Sequence, residues 1–159
     1  MKHRWGRNSH GRRKRGSSGG ASRALRVCAG VILNRRGQIL LCQRRPGGRF
    51  GLRWEFPGGK REPGEPARSC LARELREELG IGCRIGRKLL TVEHRYPEGT
   101  RVRLDFFRAH RARGRIRNLA FRQLRWVRRR SLRFFDILEA DAALVRLLTR
   151  TGCRPGPGP

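Results

Sequence analysis

Acidic residues are scarce in this chain: 12 Asp and Glu stand against 40 Lys and Arg in 159 residues, a formal charge of +28 at pH 7. Lysine is scarce as well, with 4 residues against 36 arginines, and Tyr and Met occur once each. Such an excess of cations draws polyanions, whether nucleic acid or phosphorylated small molecules. The arginines run along the whole chain, however, so a general drift toward Arg on a tolerant surface explains the charge equally well. Long apolar runs are missing too. No segment approaches the roughly 20 residues of a membrane span, and residues 1–23 hold no stretch resembling a signal peptide. The five cysteines (Cys28, Cys42, Cys70, Cys83, Cys153) form no C-x-x-C pair and have no His at metal spacing. That pattern argues against both zinc and a disulfide framework. The expectation is a soluble, monomeric protein of a reducing, cytoplasmic setting, with no membrane contact.

The length suits one domain with tails. Residues 1–23 carry eight basic side chains, no acid and many Gly and Ser, and read as a disordered basic tail. The tail could give weak nucleic-acid binding, serve as an Arg-rich organelle presequence, or be a dispensable extension. Residues 151–159 end in Pro-Gly-Pro-Gly-Pro and read as a flexible second tail. Between them, residues 24–150 have globular patterning. Arg26–Leu33 and Gln38–Gln43 flank a turn at Asn34–Gly37, which predicts a hairpin. Lys88–His94 and Arg101–Arg108 flank a second turn signal at Tyr96-Pro97-Glu98-Gly99, and Leu124–Val127 makes a fifth strand. Helices are predicted over Pro66–Leu79 and Ala140–Thr149. Strands mixed with two helices indicate an α/β (α+β) layered domain with a mixed sheet.

The first helix carries the chemistry. Ala67, Leu71, Leu75 and Leu79 recur every four residues and make an apolar stripe. On the opposite face Glu74, Glu77 and Glu78 stand at i, i+3 and i+4, so three carboxylates share one patch. Like charges that close repel unless a cation lies among them. Arg73 and Arg76 are near, but a hard divalent cation that prefers a few carboxylate oxygens and bridges to phosphates suits the cluster better. By itself E-x-x-E-E is more often a solvated acidic face paired with the many arginines.

Its surroundings favour the metal. Residues 59–81 read GKREPGEPARSCLARELREELGI, which resembles the Nudix box. Gly59, Glu65, Arg73, Glu74, Leu75, Glu77, Glu78, Gly80 and Ile81 meet every constrained position of that pattern. The segment Trp54-Glu55-Phe56-Pro57-Gly58-Gly59-Lys60 resembles the entry to the box in MutT-like members. Gln43-Arg44-Arg45 and Leu124-Arg125-Trp126-Val127 resemble their strands, so the likeness covers about residues 24–150. It implies a Nudix-type α/β/α sandwich with a mixed sheet. It also implies a Mg²⁺-dependent hydrolase, Mn²⁺ serving as an alternative, that splits nucleoside triphosphates such as 8-oxo-dGTP or cytidine nucleotides into monophosphate and pyrophosphate.

By the same resemblance Glu74, Glu77, Glu78 and the carbonyl of Gly58 are the metal ligands, and Glu65 pairs with Arg73 to hold the loop. Arg45, Glu55 and Lys60 fall to the substrate. Asp141 lies fifteen residues after Trp126, where a base reader is expected, although capping the second helix is an equal alternative. One departure stands out: six residues before Trp126 the family usually has a further Glu, and this chain has Ala120. Glu93, Glu98 or a box Glu could replace it. Rival readings are a Nudix hydrolase of dinucleoside polyphosphates, sugar nucleotides or capped RNA, or a non-catalytic basic protein that binds nucleic acid.

Overall fold

A computed structural model describes residues 24–150; both expected tails lie outside the described residues. Along the chain run β1 (Leu25–Ile32), β2 (Ile39–Gln43), β3 (Trp54–Glu55), β4 (Gly58–Lys60), α1 (Ala67–Leu79), β5 (Gly82–Arg95), β6 (Arg101–Arg113), β7 (Gln123–Val127) and α2 (Ala142–Arg150). Two 3₁₀ turns, Arg129–Phe134 and Glu139–Asp141, precede α2. The strands form a four-stranded sheet in the order β4-β1-β6-β5 and a three-stranded one in the order β3-β2-β7. β1 is parallel to β6 and antiparallel to β4, so the sheet is mixed, as expected.

Period-two alternation divides the core between the two faces of the strands. From β1, β2 and β6, the side chains of Val27, Ala29, Ile39, Leu41, Leu104 and Phe106 face one way and pack with Leu132 and with Leu144 of α2. Cys28, Ile32, Leu40, Cys42, Phe107 and Ala109 face the other way and meet Leu71, Leu75 and Leu79 of α1. Helices therefore cover both faces, giving an α/β/α sandwich. Leu71, Leu75 and Leu79 are fully buried, and each contributes about 1.5–3 kcal/mol by leaving water. That stripe fixes the rotation of α1 and with it the direction of its carboxylates.

The predicted first hairpin is corrected. Its turn forms as read: Asn34 Oδ1 accepts the backbone N–H groups of Arg36 (2.9 Å) and Gln38 (3.0 Å). Pairing stops at a single bridge, Leu33 to Ile39. Beyond it β1 gives its two edges to β4 and β6 while β2 gives its own to β3 and β7, so the strands part into different sheets. The second hairpin, β5 with β6, forms around Tyr96–Gly99 and is longer than the sequence suggests. Gly82, Gly86 and the surrounding arginines dilute the alternation at the start of β5. The second helix begins at Ala142, two residues later than expected, because residues 136–138 are drawn alongside β3. Trp54 N–H donates to the Asp136 carbonyl (2.8 Å) and Leu138 N–H to the Trp54 carbonyl (2.9 Å), and the next turn tightens to 3₁₀.

Candidate active site

The site is built where the β4 loop meets α1. Pro66, at the N-cap, starts the helix, and Gly80 ends it in the left-handed region (φ 67°) with its N–H on the Arg76 carbonyl (3.0 Å). The chain returning after β6 closes that end further: Leu119 N–H donates to the Glu78 carbonyl (3.0 Å) and Arg117 N–H to that of Leu79 (2.9 Å). At the other side of the helix the glycine pair sets the approach. A Cβ on Gly58 (φ 150°) would lie 2.1 Å from the Cys28 carbonyl oxygen, and one on Gly59 would lie 2.4 Å from the Glu74 carboxyl carbon. Backbone and carboxylate meet at a distance only glycine allows.

Arg73 is the hub of the loop. Its Nε donates to Glu65 Oε1 (2.9 Å) and its Nη2 to Glu65 Oε2 (3.0 Å), a two-pronged pair. Nη1 reaches Glu74 Oε1 (2.7 Å) and Glu77 Oε2 (3.4 Å), and Nη2 also reaches the Lys60 carbonyl (3.2 Å). Hydrogen bonding to Arg73 holds the Glu65 carboxyl down at about 2, aided by the Glu62 N–H at 3.0 Å. The pairing of Glu65 with Arg73 expected from the sequence is thus present.

The three helix carboxylates differ in their settings, which corrects the picture of one exposed acidic face. Glu74 is buried (7% exposed) against Gly59, Glu78 is half-buried, and only Glu77 is open to solvent. Glu78 Oε2 accepts the Gly58 N–H (3.1 Å). Burial first, then the carboxylates of Glu55 and Glu74, push the Glu78 carboxyl well above its usual range, against the smaller pull of Gly58 N–H and Arg44. Glu55, buried on β3, is raised by the same desolvation and opposed by Arg44, whose Nη1 lies 3.1 Å from both its oxygens. The Cys42 thiol beneath them is raised by burial and by Glu78 and Glu55.

Among the described residues no three acidic, His or Cys side chains already converge as a metal cage. Arg73 draws Glu74 aside and the Gly58 N–H holds Glu78. The donor chemistry nevertheless fits a hard divalent cation: the donors are all oxygens, and burial first, then the nearby Glu55 and Glu74, disfavour the charged form of Glu78 in the absence of a cation. Glu74, Glu77 and Glu78 are the side chains that could hold such an ion.

Beside this cluster opens a small pocket, partly open to solvent. Val27, Ala29, Val102, Leu104 and Leu138 give it apolar walls, and Gly58, Glu55 and Asp141 give it polar edges. Asp141 Oδ2 accepts the Phe56 N–H (3.2 Å), so its carboxyl is turned toward β3 and the pocket. Burial, with a lesser push from Glu55, raises Asp141 to about 8. At pH 7 it is largely a neutral carboxylic acid, able to donate as well as accept.

Other expectations fare differently. Arg45 is exposed just past β2 and meets none of the cluster, whereas its neighbour Arg44 is the one that enters the site. The register Cys42 opposite Glu55 brings Arg44 to Glu55; sequence alone offers two adjacent arginines and no register. Lys60, half-buried on β4, lies opposite Val27 at the edge of the loop. Of the carboxylates that could replace the one missing at Ala120, Glu93 pairs with Arg103 (3.1 Å) and Glu98 with Arg49. Ala120 packs against the α1 side of the core.

The fold and this loop-helix-loop site define a known class: the chain belongs to the Nudix family, whose NUDIX domain model matches residues 23–148. Within it the sequence is 40% identical over 83 residues to the 8-oxo-dGTP diphosphatase of Proteus vulgaris, spanning 52% of this chain and 73% of that one. It is 36% identical over 132 residues to the putative 8-oxo-dGTP diphosphatase 2 of Mycobacterium tuberculosis, spanning 79% and 88%. The fold superposes on the MutT protein of Methanosarcina mazei Go1 with a TM-score of 0.71 at 22% identity, covering 80% of this chain and 94% of that one.

Proposed function

We propose that this chain is a divalent-metal-dependent hydrolase that converts nucleoside triphosphates, oxidised purine nucleotides such as 8-oxo-dGTP foremost, to the monophosphate and pyrophosphate. The observation that carries the reading is the junction of two environments at Gly58. An apolar, acid-edged pocket suited to a base lies on one side, and a crowded carboxylate helix suited to cation and polyphosphate lies on the other. Relatives named as 8-oxo-dGTP diphosphatases point to the same substrate class.

The cation, Mg²⁺ or Mn²⁺, would be held by Glu74, Glu77, Glu78 and the Gly58 carbonyl, neutralising polyphosphate charge and making a water nucleophilic. The rest falls to the chain itself. Arg73 and Glu65 hold the loop against the helix, so that Gly59 and Glu74 keep their contact. Arg44 neutralises Glu55 at the back of the cluster. Lys60 on β4 assists the phosphates. Asp141, protonated at neutral pH, presents a donor and an acceptor to the base edge, and apolar walls clamp the ring. Arg45, exposed past β2, is left for solvent-side contact with phosphate.

The test is product analysis over a panel of nucleotides with Mg²⁺: 8-oxo-dGTP, dGTP, CTP, a dinucleoside tetraphosphate, a nucleotide sugar and a 5′-triphosphate RNA. The proposal expects monophosphate and pyrophosphate, fastest from 8-oxo-dGTP. Release confined to the dinucleotide, sugar or RNA compounds moves the enzyme to another Nudix substrate class. Binding of nucleic acid with no release from any compound leaves a non-catalytic protein.

A further inference from the structure

On the first of the 3₁₀ turns before α2, Phe134 is 74% exposed; the next most exposed large apolar side chain among the described residues is Leu52 at 43%. Its neighbours take the available core positions. Leu132 is fully buried, and Phe135 meets Trp54 edge-on at 5.1 Å, so the 3₁₀ turn turns Phe134 outward. The Arg133 guanidinium lies over the Phe134 ring at 4.8 Å. Arg128 and Arg130 are exposed on the same turn. Between Asp105 and Asp136 the sequence has no acid at all. The two acids that follow, Asp136 and Glu139, are both held by Arg53 (3.0 and 3.3 Å). The turn therefore offers an exposed aromatic ring beside the guanidinium of Arg133 and the exposed Arg128 and Arg130.

We propose that the segment Arg128–Phe134 binds single-stranded nucleic acid, with a base stacked on Phe134 and flanking phosphates on Arg128, Arg130 and Arg133. Every base has a π-face, and the strand supplies phosphate on either side of it, so one ring flanked by guanidiniums matches one nucleotide step and its neighbours. A lipid surface matches less well. A single ring buries little apolar area, and stable membrane attachment takes more than that beside its basic charge.

The experiment uses the full chain and a fluorescently labelled single-stranded oligonucleotide, in DNA and RNA forms of one sequence, with anisotropy read over a salt series. Phe134→Ala is expected to weaken binding about tenfold, as loss of one stacked base does. Phe134→Leu should be as weak, since it keeps apolar area but not the π-face. Arg130→Ala with Arg133→Ala should lower the salt slope by about 1.4, roughly 0.7 for each phosphate released from a single strand. Phe134→Trp should bind with its fluorescence quenched by the oligonucleotide. An equal response to DNA and RNA identifies shared backbone and base recognition; a response to RNA alone narrows the ligand to RNA. Three results overturn the proposal. Unchanged affinity and salt slope in these variants, with binding lost on deletion of residues 1–23, assigns binding to the N-terminal segment. Indole fluorescence of Phe134→Trp that shifts on phosphatidylserine vesicles and ignores oligonucleotide assigns the turn to membranes. A dimer that Phe134→Ala dissociates, with oligonucleotide affinity unchanged, assigns it to a second copy.

Discussion

Adding one methyl group at Gly59 tests whether the contact between loop and helix sets the activity. In Gly59→Ala the new Cβ would meet the Glu74 carboxyl carbon at 2.4 Å and its two oxygens at 2.6 and 2.7 Å. Ordinary contact begins near 3.4 Å, so the carboxylate must retreat by about an ångström, and the 2.7 Å bond from Arg73 Nη1 must stretch or break. The clash falls on the far end of a flexible side chain, so the cost is that of the disturbed charge-assisted hydrogen bond, about 1–3 kcal/mol. A displacement of about 1 Å in a positioning group lowers turnover about a hundredfold. The assay pairs thermal unfolding with pyrophosphate release at saturating Mg²⁺. The expected result is a folded protein of reduced Tm and about one hundredth of the activity. The second variant separates sterics from chemistry: Gly59→Ala with Glu74→Ala removes the clash, so it should regain stability while staying inactive. A Gly59→Ala protein within twofold of the original in both stability and turnover would show that this contact does not set the activity.

Other residues make sharper demands. Arg44→Met strands the buried Glu55 carboxylate and should cost about 3 kcal/mol in urea unfolding, most of it regained when Glu55→Gln is added. Glu65, held down at about 2, contributes stability that is fully present above about 4.5 and lost as pH falls toward 2. Glu65→Gln should therefore be less stable at pH 7 and lose its deficit in acid, as read by Tm against pH. Asp141 has the opposite sign: raised from 3.8 to about 8, its contribution is complete at low pH and lost as pH rises through about 8. Asp141→Asn should flatten that decline. Asp141→Ala should lower kcat/KM for the preferred nucleotide about ten- to a hundredfold, the worth of one lost hydrogen bond, while sparing a poor nucleotide. Equal losses across a panel of bases would remove the base-reading role.

What the sequence could reveal was what lies close in the chain. Residues 59–81 carry their own spacing: the leucine stripe orients α1, Pro66 and Gly80 bound it, and Glu65 stands where Arg73 can reach it. Contacts between distant segments left weaker traces. Asp141 and Phe56 are 85 positions apart, and nothing local distinguishes a carboxyl that bonds a strand backbone from one that caps a helix. The choice between Arg44 and Arg45 depends on how β2 pairs with β3, and the parting of β1 from β2 depends on which strands claim their edges. The burial of Glu74 was hidden for the same reason. A helical wheel shows three acids on one face, but it cannot show that a glycine backbone covers one of them. Exposure of Phe134 likewise follows from Leu132 and Phe135 filling the core first.

If the carboxylates of α1 turn the nucleotide pocket into a hydrolase, turnover of 8-oxo-dGTP with Mg²⁺ must differ sharply between the unsubstituted chain and Glu78→Gln. Glu78 touches the Gly58 N–H and no core side chain is removed by the change, so both proteins should unfold at similar temperatures. The account predicts monophosphate and pyrophosphate from the unsubstituted chain and nearly none from Glu78→Gln. Activity of Glu78→Gln within about twofold of the unsubstituted chain would contradict it.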